Sequence, residues 1–245
     1  MGEVEPRVTL VRCTPEPQEL VAAAAKLCYA SETDGLLDQT PDGSERFVAL
    51  LRRMGHLSPV EHATFTFFLE GVSRAMTHQL VRHRLASYSQ RSQRYVAHDE
   101  FGYIVPPQLK GKRIAADGEG QGQDAAEYFA DTMQLIAERY RRLNEALGCT
   151  GESSNEDARY VLPNACETKI FVTMNARELL HFFEERLCQR AQWEIREVAD
   201  QMLAAARKVC PGIFKGVGPK CLRYGRCPEG KMTCGRYDEM KARYA

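Results

Sequence analysis

The chain has 245 residues, 44% of them hydrophobic, and its 33 basic residues balance 33 acidic ones. That length and apolar content suit a globular protein with a sizeable core. The neutral balance excludes a whole-protein bias toward nucleic acid or membrane surfaces and points to a small-molecule partner. No run of about 18 apolar residues occurs, and the opening MGEVEPRVTL has neither the basic nor the apolar region of a secretory signal, so the expected compartment is the cytoplasm. Of nine cysteines, Cys13, Cys28, Cys149, Cys166 and Cys188 are scattered singly, as reduced cytosolic thiols are, and only the last four are grouped.

In chain order, VTLVRC reads as a strand, and PEPQELVAAAAKLCYAS as a helix with an apolar stripe through Leu20, Ala24 and Leu27. SERFVALLRRMGHL reads as a second helix capped by Ser44. ATFTFFLEGV has the aromatic and β-branched content of a strand, with Phe65 and Phe67 on one face. A helix is predicted from near Ser73 to about Arg84. YIVPPQL looks extended up to its double proline, and KGKRIAADGEGQGQ looks like a polar surface loop. Asp124 with Glu127 predicts a capped helix ending at Gly148. A short helix should end near Pro163, TKIFVTM should be a strand, and Asn175 with Glu178 should cap one long helix reaching about Lys208. The order predicts an α+β domain, helices packed on a modest mixed or antiparallel sheet.

From Gly71 to His98 there is no acid, yet the stretch holds Arg74, Arg82, Arg84, Arg91 and Arg94 with His78, His83 and His98. A solvated helix face intersperses acids to limit repulsion, so this composition suits an anion. Arginine's planar fork matches phosphate or carboxylate in a bidentate contact. The bland alternative is a basic patch held by acids elsewhere in the fold. Ser87, Ser89, Gln90, Ser92 and Gln93, set between the arginines, favour a site that orients a polar ring and a phosphate together.

The triplet Arg82-His83-Arg84, followed after seven residues by Ser92, resembles the signature motif of flavin-dependent thymidylate synthases. HLSPVEH at 56–62, ARYVLP at 158–163 and NARELLHFFEERLCQRAQWEIRE at 175–197 follow the family's order, so the resemblance runs from about residue 20 to 210. It implies reductive methylation of dUMP to dTMP, with methylenetetrahydrofolate as one-carbon donor, FAD reduced by NADPH as hydride source, and no enzyme nucleophile. By resemblance, Arg82, His83 and Arg84 contact FAD, Arg82 also lies beside the nucleotide, and His56, Ser58, Glu61, Gln90, Asn175, Arg177 and His181 complete the flavin side. Gln79, Gln90, Arg91, Ser92, Gln93 and Arg94 match dUMP-binding positions, Arg159 matches an arginine reaching dUMP from a neighbouring subunit, and Arg186 matches the catalytic arginine against the uracil ring. Relatives of this kind are homotetramers with active sites shared between subunits. The family domain would span 1–209, with 210–245 as a cysteine-containing extension.

Helical geometry agrees in part. Asn175 and Arg186, eleven positions apart, fall within about 20° of one face, and Arg177 and His181 form an i, i+4 pair. Without the motif, Arg186 would be read as pairing with Glu184, Glu185 or another helix acid. Trp193, Leu179, Phe182 and Phe183 read as core. No GxGxxG fingerprint is present, which excludes only the common dinucleotide fold. Ser92 has no base among its neighbours Arg91, Gln93 and Arg94, so it reads as a substrate hydrogen bond rather than a nucleophile, and neither Cys166 nor Cys188 has local features of a nucleophile. In the tail, Cys210, Cys221, Cys227 and Cys234 are separated by 10, 5 and 6 residues. Those intervals lack paired C-x-x-C knuckles, so free thiols in a loop-rich extension are expected, with a metal site on these four cysteines as the alternative. The rival from another class is a non-enzymatic nucleotide- or RNA-binding module using residues 74–94. Neutral charge and the lack of an aromatic RNA-binding motif count against it.

Overall fold

The computed structural model describes residues 1–115 and 122–244. Residues 116–121 of the polar loop expected over 110–123 therefore lie outside the described residues. The elements are β1 (Gly2–Glu3), β2 (Arg7–Cys13), α1 (Pro17–Leu27), α2 (Pro41–Met54), β3 (Thr64–Ser73), α3 (Arg74–Leu80), β4 (Ala86–Gln90) and β5 (Gly102–Tyr103), then α4 (Ala125–Ala146), α5 (Glu152–Ala158), β6 (Glu167–Asn175), α6 (Ala176–Arg186), α7 (Trp193–Val209), α8 (Pro211–Phe214), α9 (Lys220–Tyr224) and α10 (Tyr237–Tyr244). A four-stranded sheet has the order β2-β3-β6-β4, and β1 pairs with β5 in parallel. The class is α+β, as expected. No helix among the described residues is long and apolar enough to cross a membrane.

The chain divides into two compact units that interleave along the sequence. The first holds residues 1–7, 70–78 and 89–170. Its core gathers Phe101, Tyr103 and Val105 against Met133 and Ala137 of α4, with Cys166 fully buried among them. Gly71 (φ +64°) is required there, because a Cβ would meet the Glu5 carbonyl oxygen at 2.0 Å. Asp124 caps α4 as its sequence pattern predicts, accepting from the N–H groups of Ala126 (2.8 Å) and Glu127 (3.2 Å). Asp124→Ala should therefore cost about 1 kcal/mol of stability, read as a lower urea midpoint at unchanged m-value.

The second unit holds residues 8–69, 79–88 and 171–245. Phe65, Phe67 and Leu69 alternate along β3 and are fully buried, which is the expected face. Phe65 and Phe183 each meet the Phe214 ring edge-on, at 5.3 and 5.9 Å. Leu179, Phe182 and Phe183 are core residues as expected, and Trp193 is half-buried.

Four local expectations fail for identifiable reasons. In α1 the buried face runs through Gln18, Val21, Ala22 and Ala25, while Leu20 and Leu27 are exposed. This helix packs on α2 and on the turn at Pro59–His62, and alanines permit that approach. Helix α2 starts earlier than expected, with Pro41 in its first turn and Thr40 at the cap position, so Ser44 is a buried interior residue rather than a cap. Helix α3 stops at Leu80 rather than near Arg84, because the Tyr88 hydroxyl of β4 lies 2.8 Å from the carbonyl oxygens of both Leu80 and His83. The long helix expected over 175–208 is two helices. Gln192 caps α7 by accepting from the N–H groups of Glu194 and Ile195, and the Arg196 guanidinium donates to the carbonyls of Gln189 and Ala191 in the break.

Candidate active site

The site in the second unit is built where β6 runs into α6. Asn175 caps that helix, its side-chain oxygen accepting from the Glu178 N–H at 2.9 Å. Capping fixes the first turn, and the first turn places the Glu178 carboxylate in a buried position. There it meets His83 Nδ1 at 3.1 Å, and on the far side of the ring Arg186 Nε donates to His83 Nε2 at 3.1 Å. A guanidinium can only donate, so Nε2 must be the acceptor and Nδ1 must carry the proton given to Glu178. The tautomer is thereby set from both sides.

Burial, with Arg186 and His181 nearby, lowers the His83 pKa from 6.5 to about 4. Burial also raises that of Glu178, opposed by His181. His83 is therefore an uncharged strut between a carboxylate and a guanidinium. Its depressed pKa has a stability consequence. Between about pH 6.5 and 4 the unfolded chain binds a proton at this residue that the folded chain does not, so folding stability falls as pH falls through that window. Glu178, raised, acts in the opposite sense as pH rises. His83→Gln should flatten the acid-side loss by an amount on the order of 2 kcal/mol, measured as the pH slope of the urea-unfolding free energy.

Two adjoining clefts flank this network. One, of about 790 Å³, is lined by Arg82, His83, Arg84, Glu185 and Arg186 together with Leu85, Glu178 and His181. The other, of about 670 Å³, is lined by Leu57, Glu61, Asn175, Arg177, Glu184 and Arg223 together with the same three shared residues. The expectation that Asn175 and Arg186 face one cleft becomes two neighbouring clefts with a common wall. Arg177 is paired with Glu61 at 2.5 Å. Leu57 faces the second cleft, whereas His56 and Ser58, expected on the flavin side, are not among its lining.

Arg186 does not pair with its own helix acids. Glu184 takes Arg223, and Glu185 stands 3.6 Å from Lys220. Among the described residues no acid lies within ion-pair distance of Arg82, Arg84 or Arg186. Three cations thus face a cleft without a direct ion-pair partner, although Glu178 and Glu185 share its lining, and that leaves their donors available to an anionic ligand.

The remaining predicted positions, apart from Gln79, lie in the first unit, and several are already engaged. The Arg94 guanidinium holds Glu152 at 2.6 Å and Glu156 at 2.9 Å, so for this arginine the bland reading of acid pairing is correct. Gln90 donates to Thr77 (3.0 Å) and Thr168 (3.3 Å), and Gln93 lies 3.9 Å from the Cys166 sulfur. Ser92 Oγ accepts from the N–H groups of Arg94 and Tyr95, and no base is bonded to it. Arg159 donates to the Glu156 carbonyl. Arg91 is half-buried, with its backbone N–H on Lys169 O. Gln79 belongs to the second unit, where its carbonyl accepts from the Arg82 N–H.

Sequence reasoning missed Glu178 and Tyr88 as site-building residues. Glu178 was legible only as half of a helix cap, since its partner His83 is 95 positions away and no local pattern pairs them.

An α+β scaffold that presents unpaired arginines and a fixed neutral histidine to adjoining clefts defines a protein for phosphorylated or otherwise anionic small molecules. The profile of the family "Thymidylate synthase complementing protein" matches residues 9–212, and the chain belongs to that family. Proteins named flavin-dependent thymidylate synthase are similar to it along almost their whole length. The Clostridium tetani protein is 48% identical over 97% of this chain and 96% of its own, the Nitratidesulfovibrio vulgaris protein 48% over 97% of each, and the Geobacter sulfurreducens protein 49% over 96% of each. Among solved structures, the UMP/dUMP methylase PolB from Streptomyces cacaoi, bound with 5-Br dUMP, superimposes with a TM-score of 0.70 at 26% identity, covering 87% of this chain and 94% of that one.

Proposed function

We propose that this chain is a flavin-dependent thymidylate synthase, converting dUMP to dTMP with methylenetetrahydrofolate as one-carbon donor. The observation that carries the reading is that Arg82, Arg84 and Arg186, none of them in an ion pair, stand around a neutral His83 at the positions where the family motif falls. Those residues fit a dinucleotide: Arg82 and Arg84 are exposed cations for a pyrophosphate, and the Asn175–Arg177–His181 face of the adjoining cleft offers room and polar contacts for the remainder. When bound, FAD reduced by NADPH supplies the hydride equivalents, and the protein's task is to bind, orient and tune.

Each role follows from the local chemistry. Arg186, held through Nε by His83, presents its remaining guanidinium nitrogens as a fixed positive charge for the pyrimidine as negative charge develops on it. No side chain is needed as nucleophile. Burial pushes the Cys166 thiol up to about 11, so it stays protonated and inert, and Ser92 is a hydrogen-bonding group without a base. By the family resemblance, Arg91 and Ser92 are positions for the nucleotide phosphate, Gln90, Gln93 and Arg94 are further dUMP positions beside them in the chain, Gln79 is a separate one, and Arg159 would be supplied by a neighbouring subunit of a homotetramer. Gln90, Gln93 and Arg94 would exchange their present protein partners for substrate. The setting is the cytoplasm.

The test is the absorbance spectrum of the purified protein, followed by anaerobic reduction with NADPH and addition of dUMP and methylenetetrahydrofolate. Bound flavin that bleaches with NADPH, with dTMP formed, is the expected result. A colourless protein that cannot be loaded with FAD overturns the reading.

A further inference from the structure

The tail was expected to carry its cysteines as free thiols, or to group Cys210 with the other three. All four are unbridged, as expected, but Cys210 stands apart from the other three. Cys210 is fully buried at the end of α7, its thiol pushed up to about 12 by that burial. The residue that joins Cys221, Cys227 and Cys234 is Cys188, from the break between α6 and α7. These four cysteines line one small cavity of about 20 Å³ in the second unit, enough for about one ion or water. All four are unbridged.

We propose that Cys188, Cys221, Cys227 and Cys234 form a four-thiolate site for a soft divalent cation, zinc foremost. As they stand, no three such side chains among the described residues sit at metal-holding spacing, so binding must draw the sulfurs inward by side-chain rotation.

Three features favour a metal over a disulfide. The first is number: four cysteines, from the break between α6 and α7, from α9 and from the loop 227–235, line one cavity, which is the ligand set of a closed structural zinc site. The second is the loop 227–235. The Cys227 sulfur is surrounded by the Thr233 hydroxyl and the backbone N–H groups of Glu229 and Cys234. Gly230 (φ +53°) and Gly235 (φ +73°) supply the tight turns that fold the loop back. The third is the surrounding charge. Four thiolates and a divalent cation leave a net negative site, and two cations adjoin it, each shared with a carboxylate: Lys220, which also holds Glu229 at 2.7 Å, lies near Cys188, and Arg236, paired with Glu239, lies near Cys234.

The segment also needs such a link. No residue from 220 to 239 is buried, yet the stretch folds into a helix, turns and the start of α10. A stretch this short without a core of its own is ordered by a staple. The staple would reach the active site, because Cys188 follows Arg186 by two residues and Arg223 of α9 grips Glu184 on the wall of the second cleft. The relatives match 96–97% of this chain, whereas the family profile ends at residue 212, so the extension is largely shared with those relatives.

The experiment is elemental analysis of the full-length protein purified under reducing conditions, with anaerobic replacement of its metal by cobalt. We expect about one zinc per chain and, with cobalt, the near-ultraviolet thiolate-to-metal band. Cys188→Ser and Cys234→Ser should each lower bound zinc by roughly tenfold or more, and Cys210→Ser and Cys149→Ser should leave it unchanged. Absence of both zinc and the cobalt band in the unaltered protein overturns the proposal, even if a variant fails to fold. So does full zinc retention by Cys188→Ser, or a disulfide among the four in the protein as purified. None of these readouts depends on flavin or on turnover.

Discussion

Arg186→Ala is expected to lower turnover by about 10²–10³-fold, the loss typical of removing one preorganised donor at a developing charge, while bound flavin stays near the level of the unaltered protein. The separation follows from position. Arg82, Arg84, Arg177 and His181 line the clefts independently of Arg186, so on the proposed reading flavin would keep other contacts, whereas nothing else among the described residues presents a guanidinium from His83. Arg186→Lys should recover little, because an ammonium keeps the charge but lacks the planar fork that donates to His83 from Nε while presenting other nitrogens to the cleft. Steady-state kcat and the flavin absorbance of the same preparations check both statements. Equal loss of flavin and turnover would remove Arg186 from the catalytic role.

The second large effect belongs to Glu178. Glu178→Ala deletes the acceptor for a buried imidazole N–H and should destabilise the fold by about 1–3 kcal/mol. It should also lower kcat, since an unanchored His83 no longer holds Arg186. Glu178→Gln, nearly isosteric, can still accept from Nδ1 through its amide oxygen and should restore most of the stability. Because Glu178 acts through Arg186, the double variant Glu178→Ala/Arg186→Ala should be hardly slower than Arg186→Ala alone. Additive losses in kcat would show that Glu178 acts on the reaction by some other route. Urea unfolding and kcat for the four proteins give the cycle.

Much of this was legible from residues read in order. The alternation Phe65–Phe67–Leu69, the Asp124 and Asn175 caps, and an acid-free arginine stretch are patterns whose cause lies within a few residues. Failures clustered where a side chain outside the helical pattern takes over backbone groups or where a second element packs close. Helix α3 ends because Tyr88 returns to its carbonyls, the 175–208 helix breaks because Gln192 and Arg196 take over the free backbone groups, and α1 turns alanines rather than leucines inward because α2 lies close.

The same division holds for function. The sequence by itself determined the class of ligand and the family, because arginine spacing and motif order are local and survive translation into any fold. Only the tertiary structure decided which arginines are available and which are consumed. Arg94 is held by Glu152 and Glu156, Arg186 rests on His83, and Glu184 is spent on Arg223. It likewise exchanged Cys210 for Cys188 in the thiol cluster. The physical reason is that a charge or a thiol is defined by what stands within a few ångströms of it. For His83 and Glu178, 95 residues apart, or Cys188 and the tail, that neighbour is chosen by how the chain returns on itself.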